Sequence, residues 1–248
     1  EKLGNPALTQ NENEFVDAVL SGLDVFPAYY AHMGLANALG PQDVDLEMPK
    51  PADPESLRAA IDRGEWIVDL RSREVFSQGH IPGSVNFDLD GAFINYLAWM
   101  MPWGTPLTLV GATTQQVEAA MRELARVGIA TPKSQAVGDP RFWMADGELP
   151  AVTRRVDFDT VKTEWAARPD AIVMDARQIL EWENGHVEGA VFIPFYEVLD
   201  RLADIPRDRD VYVYCGSGYR SGAVVSMLGR LGYDNLVHVD DDFGNAAK

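Results

Sequence analysis

The residues best suited to chemistry stand together at Cys215-Gly-Ser-Gly-Tyr-Arg220-Ser221, and Cys215 is the only cysteine among the 248 residues. A cysteine acts as a nucleophile through its thiolate. Two glycines let the backbone after Cys215 curl closely. A helical pattern follows, so backbone N–H groups and the positive end of a helix dipole can converge on one spot, an arrangement that attracts anions. At a helix N-terminus or beside a cation, a thiol with a free pKa of about 8.5 can titrate as low as roughly 3.5–7.5. Arg220 is the candidate cation. The pattern fits a sulfur that attacks or carries something negative. A cysteine that only fills a core needs neither the glycines nor the arginine.

The elements around this loop read clearly. Val211-Tyr-Val-Tyr214 has the β-branched and aromatic composition of a buried strand. Val224, Val225, Leu228 and Leu231 recur at helical spacing up to Gly232. The same grammar occurs twice. Asp69, Arg71, Gly79, His80, Gly83 and Val85 recur in register as Asp175, Arg177, Gly185, His186, Gly189 and Val191; Arg126 and Gly128 recur as Arg230 and Gly232 after a two-residue slip. In the first copy a strand at Thr105–Val110 leads into Gly111-Ala-Thr-Thr-Gln-Gln116 and a helix through Val117, Ala120, Met121 and Leu124, with neither cysteine nor arginine in the loop. Shared features then serve the scaffold, which assigns Asp175, Arg177 and His186 to structural support. Cys215, Gly216, Ser217, Gly218, Tyr219, Arg220 and Ser221 remain as candidates for function. The expected fold is α/β: two tandem units, each a mainly parallel sheet flanked by helices, spanning 53–150 and 151–248 after a helical lead-in at 1–52.

The lead-in carries Thr9 and Glu12 at capping-box spacing, an apolar helix face of Phe15, Val16, Val19, Leu20 and Leu23, and an aromatic piece from Phe26 to Gly34. A proline-punctuated stretch runs from Pro41 to Pro54. So short a segment cannot bury its own aromatics, and must pack on the rest of the chain or on a partner. The run from Ala92 to Trp103 is expected to pack in the core and between domains. A net charge of −17 argues against nucleic acid or an anionic membrane as partner. No run reaches transmembrane length. A single reactive thiol suits a reducing compartment, here the cytoplasm. The four histidines, His32, His80, His186 and His238, are far apart in sequence, so no metal site is expected in this chain. The first residue is Glu1 rather than Met, as expected of a processed product or a piece of something longer.

Three spaced motifs, Asp175-Ala-Arg177, Glu181-Trp-Glu-Asn-Gly-His186-Val-Glu-Gly-Ala190 and Cys215–Ser221, together resemble the rhodanese (sulfurtransferase) domain signature. The second copy matches with a complete loop and the first as a degenerate copy. Val239-Asp-Asp-Asp-Phe-Gly-Asn departs from the Gly-Gly and Trp usual in that family. The lead-in resembles the end of the metallo-β-lactamase-fold domain that precedes two rhodanese domains in persulfide dioxygenase–rhodanese fusion proteins. The resemblance implies transfer of sulfane sulfur from thiosulfate or a low-molecular-weight persulfide, through a Cys215 persulfide, to a thiol, sulfite or cyanide, in sulfide or persulfide metabolism. Cys215 and Arg220 would be catalytic, and Gly216, Ser217, Gly218, Tyr219 and Ser221 would bind substrate. No cofactor belongs to this chain on that reading; an iron or zinc site would lie in the preceding domain. Expected partners are small sulfur-containing anions and thiols, and either a second copy of the chain or a metallo-β-lactamase-fold domain. Two alternatives stay open. A cysteine phosphatase or arsenate reductase also uses a Cys-to-Arg cradle, but with five intervening residues where this loop has four. A non-catalytic sulfur-sensing or interaction module would need no turnover.

Overall fold

The computed structural model describes residues 5–40, 45–89 and 92–246. The start of the proline-punctuated stretch at Pro41 and both chain ends therefore lie outside the described residues.

The first unit opens with helix α4 (Pro54–Asp62), which Asp53 caps by accepting from the Ser56 amide. Strands β1 (Trp66–Asp69), β2 (Val85–Asn86), β3 (Leu107–Gly111) and β4 (Gln135–Val137) form a parallel sheet in the order β2-β1-β3-β4. Helices α5 (Arg73–Gln78), α6 (Phe93–Met100) and α7 (Thr114–Arg126) connect them. The buried positions of α7 are Val117, Ala120, Met121 and Leu124, the stripe that the spacing predicts. The second unit repeats the plan with β5 (Arg154–Val156), α8 (Phe158–Ala167), β6 (Ile172–Asp175), α9 (Ile179–Glu183), β7 (Val191–Phe192), β8 (Val211–Tyr214), α10 (Tyr219–Arg230) and β9 (Leu236–Val239). Its parallel sheet runs β5-β9-β8-β6-β7. In the first unit the place of β5 shrinks to one parallel bridge between Pro51 and Gln135. Every residue of β3 and β8 is buried, as strands covered on both faces must be.

One apolar cluster runs through both units. It joins Val68, Leu97, Trp99 and Leu109 of the first to Met174, Phe195, Val213 and Val224 of the second. α6 makes the junction, with Trp99 stacked on Tyr196 and edge-on to Phe195, so the 92–103 run packs in the core and between units as far as Met101, while Trp103 is exposed and stacks on His32. α10 is buried from Tyr219 to Leu228 because it lies between its own sheet and β2 of the other. Two polar contacts fix that crossing: the Asn86 amide donates to Ser226 Oγ (2.9 Å), and Arg230 Nη1 to the Gly83 carbonyl (3.1 Å).

The lead-in forms α1 (Pro6–Thr9), α2 (Glu12–Ser21) and α3 (Tyr30–Leu39), none with a buried residue. The capping box sits at Asn11 and Glu14, not at Thr9 and Glu12. Thr9 ends α1, where its hydroxyl donates to the Asn5 carbonyl, so it is not free to cap α2. Val16, Val19, Leu20 and Leu23 are exposed, so the apolar face of α2 does not pack on the rest of the chain. Tyr29 and His32 tie the lead-in down, the Tyr29 hydroxyl donating to Asn95 Oδ1 of α6 (3.0 Å) and the His32 ring stacking on Trp103 (4.1 Å between centroids). Among the described residues no helix is long and apolar enough to cross a membrane.

Candidate active site

The scaffold motif is built identically in both units. Arg71 forks onto Asp69 and also donates to the Gly79 carbonyl (2.9 Å); Arg177 forks onto Asp175 and donates to the Gly185 carbonyl (2.7 Å). Each histidine stacks on the aromatic four residues before it and places Nδ1 by that residue's carbonyl: His80 on Phe76, His186 on Trp182. Phe243 explains the missing tryptophan. It lies 3.6 Å beneath the Arg177 guanidinium, as Trp143 lies against Arg71 in the first unit, and it stacks on Tyr214.

Strand pairing sets Val110 opposite Asp69 and Tyr214 opposite Asp175, so Gly111 stands where Cys215 does and Gln116 where Arg220 does. The first loop is closed from within, because Gln116 Oε1 accepts from the Ala112 amide (2.7 Å). The second is held from outside. Cys215 is 1% exposed at the end of β8. After it, the Gly216 carbonyl accepts from the Phe243 amide (2.9 Å), the Ser217 carbonyl from Arg73 Nη2 (3.3 Å), and the Gly218 carbonyl from His238 Nε2 (2.8 Å). A planar trans peptide points its N–H away from its C=O. The Gly216 and Ser217 carbonyls, held from outside, and the Gly218 carbonyl, shared by His238 and the Gly222 amide of α10, direct the N–H groups of Ser217, Gly218 and Tyr219 away from those partners, an arrangement that can form a nest for negative charge.

Gly218 has φ +87°, and a Cβ there would lie 1.9 Å from Asp240 Oδ1, so no other residue fits without displacing that carboxylate. A Cβ on Gly216 would lie 2.9 Å from Arg220 Nη2. Arg220 is buried and paired with Glu181, Nη2 to Oε1 at 2.8 Å with a second bond from Nη1 to Oε2. Burial opposes the Glu181 charge, but the bonds from Arg220 outweigh it and hold its pKa below the ordinary value. Burial likewise opposes the Arg220 charge, and Glu181 and the neighbouring Cys215 more than restore it, so its pKa is raised. Ser221 Oγ lies 3.4 Å from Cys215 Sγ, 3.1 Å from the Gly218 carbonyl and 3.3 Å from the Val239 carbonyl. Its single proton can serve only one of them at a time. Ser217 is exposed at the loop tip. Tyr219 is buried, with its hydroxyl on the Asp88 carbonyl (2.7 Å) and its ring beside Tyr96 of α6, so it joins the units as well as flanking the loop.

The structure thus brings Cys215 to Ser221 together, with Asp175 and Arg177 buried in the scaffold and His186 exposed against Trp182. Sequence reading left Glu181, Arg73, His238, Asp240 and Phe243 without a role. Glu181 carried a usable signal, because the register sets it against Val75 in α5 of the unit without a nucleophile. Arg73 carried one too, since its counterpart is Ile179. Among the described residues, no group of three or more His, Cys, Asp or Glu side chains is arranged to hold a metal ion.

Fold and site define a duplicated parallel α/β protein with a cysteine-to-arginine loop in one copy. The rhodanese-like domain family matches residues 53–136 and again 160–244, well over half of the chain. The chain belongs to that family. It is 28% identical over 88 residues to a sulfurtransferase of Allochromatium vinosum, covering 36% of this chain and 82% of that protein. It is 36% identical over 65 residues to the thiosulfate sulfurtransferase PspE of Escherichia coli, covering 25% of this chain and 62% of that one. Among solved structures, a metallo-beta-lactamase from Staphylococcus aureus aligns with 26% identity and a TM-score of 0.48, over 56% of this chain and 38% of that one.

Proposed function

We propose that the protein is a sulfurtransferase that moves sulfane sulfur from thiosulfate or a low-molecular-weight persulfide to a thiol, sulfite or cyanide. What carries this reading is the held loop after Cys215: the Gly216, Ser217 and Gly218 carbonyls are each engaged, which directs the N–H groups that follow away from those partners. In the first step the Cys215 thiolate attacks the outer sulfur of thiosulfate. A new S–S bond forms, the old one breaks, and sulfite leaves with the electron pair. In the second step cyanide carbon attacks the terminal sulfur, the cysteine S–S bond breaks, and thiocyanate departs while the thiolate is restored. The Ser217, Gly218 and Tyr219 amides would hold the charge of the terminal sulfur, as an oxyanion hole holds oxygen. Gly216 gives Arg220 room to lie against the loop, and Ser221 can turn its proton to the sulfur when charge develops there. Asp175, Arg177 and His186 hold the loops beneath. A single thiol of this kind fits a reducing compartment such as the cytoplasm.

Turnover with thiosulfate and cyanide tests the reading, alongside an aryl phosphate. Thiocyanate production lost in Cys215→Ala supports it. Cys215-dependent phosphate release without thiocyanate would replace it with the phosphatase reading. A persulfide that forms but reaches none of the three acceptors would replace it with the sensor.

A further inference from the structure

We infer that Arg73, from the unit without a nucleophile, is a positioning residue of the Cys215 loop, so the first unit completes the site of the second. The inference rests on the sulfur-transfer reading. Arg73 is the first residue of α5, and the register sets it against Ile179, an apolar residue at the start of α9. An arginine therefore has no part in building this turn twice. Its side chain instead crosses the interface. Nε donates to Asp240 Oδ1 (2.6 Å), Nη2 to the Ser217 carbonyl (3.3 Å), and Nη1 lies 3.6 Å from Asp88 Oδ2.

Both contacts on the second unit act on the loop. The Ser217 carbonyl belongs to the same peptide as the Gly218 N–H, so the guanidinium that holds the carbonyl outward also aims that N–H inward. Asp240 sits against Gly218, with Oδ1 where a Cβ would be, and its other oxygen takes Arg155 Nη1 at 2.7 Å. Arg73 thus fixes one peptide directly and the carboxylate packed beneath the next glycine. The other two carbonyl clamps, Phe243 and His238, come from the second unit itself. Of the three clamps, only Arg73 is supplied by the other unit, and it makes loop geometry depend on how the units dock. It is also no free cation for drawing in a donor, since Asp240 and Asp88 already face it. Its role is orientation.

The test is the single-turnover rate at which Cys215 gains sulfur from thiosulfate, with iodoacetamide alkylation of Cys215 measured in parallel. Arg73→Ala is expected to slow loading about tenfold, less than the 10²–10³ typical of deleting a direct donor, because the amides themselves remain. Arg73→Lys should recover part of the loss. Arg73→Ala combined with Asp240→Asn should be no slower than the worse single variant, since the two act as one unit. Arg230→Gln removes a different bond between the units, to the Gly83 carbonyl, and should load at the wild-type rate. Wild-type loading in Arg73→Ala overturns the inference. An equal loss in Arg230→Gln also overturns it, by showing that only interface integrity matters. If the wild type itself fails to load, the sulfur-transfer reading falls. The inference is then decided by alkylation, where an Arg73→Ala rate within twofold of wild type counts against it.

Discussion

Acidification from pH 7 to 5 should weaken this protein in part through His238, beside the smaller effect of buried His80, whose pKa burial also lowers. Its ring is 2% exposed on β9, with Nε2 on the Gly218 carbonyl. Burial pushes its pKa from 6.5 down to about 4; Asp240 opposes the shift, and Arg73 and Arg155 add to it. The unfolded chain takes up a proton near pH 6.5, whereas the folded protein resists until about pH 4. The stabilisation is therefore complete above pH 6.5 and is lost as pH falls toward 4. At about 1.4 kcal/mol per unit, the whole window is worth roughly 3 kcal/mol, of which about 2 fall between pH 7 and 5. Glu181 and Asp240 are both held below the ordinary carboxylate range, so neither changes charge in that interval. Urea unfolding of wild type and His238→Gln at the two pH values reads the difference. The glutamine amide can still donate to the Gly218 carbonyl but does not titrate, so wild type should lose about 2 kcal/mol more than the variant. Equal losses in the two proteins would refute a neutral, buried imidazole beneath the loop.

Three further outcomes follow from the geometry. Glu181→Gln leaves the buried Arg220 without its counter-charge. Because Glu181 is itself about a third exposed, the expected cost is about 1–3 kcal/mol in urea rather than the full penalty of a buried pair, accompanied by slower sulfur loading. Gly218→Ala forces a side chain into positive φ and against Asp240, so loading measured by mass should fall at least about tenfold while circular dichroism keeps the α/β signature. Gly111→Cys installs a thiol at the equivalent place in the first unit. With Gln116 still filling that loop and Val75 in place of Glu181, intact mass should show no second sulfur after thiosulfate treatment.

The duplication made most of the fold legible. Matching Asp69 with Asp175, Gly79 with Gly185 and His80 with His186 predicts two like units, and the arginine fork, the glycine carbonyl and the histidine Nδ1 contact recur in both. The apolar spacing of α7 was equally readable, because a helix that packs on a sheet must repeat its buried face; that of α10 held only to Leu228, since Leu231 lies past the helix end and is exposed. The Cys215 loop stood out by contrast with Gly111–Gln116. What stayed hidden was convergence. Arg73 and Asp240 are 167 positions apart, and no local spacing marks them as partners. His238 looks like any polar residue in a strand until its ring is seen beneath Gly218. Asp240 was read only as part of a departure from the family pattern, yet it anchors Arg73 and Arg155. Phe243 hides its role for another reason: a phenyl ring can lie beneath a guanidinium as an indole does, so the residue type changes while the contact persists.

The central claim is that Cys215 carries sulfur, and intact mass after brief incubation with thiosulfate tests it most directly, on wild type and on Cys215→Ala. The account predicts that wild type alone gains one sulfur atom and that cyanide or sulfite removes it. No gain from either thiosulfate or glutathione persulfide, or an equal gain in Cys215→Ala, would contradict it.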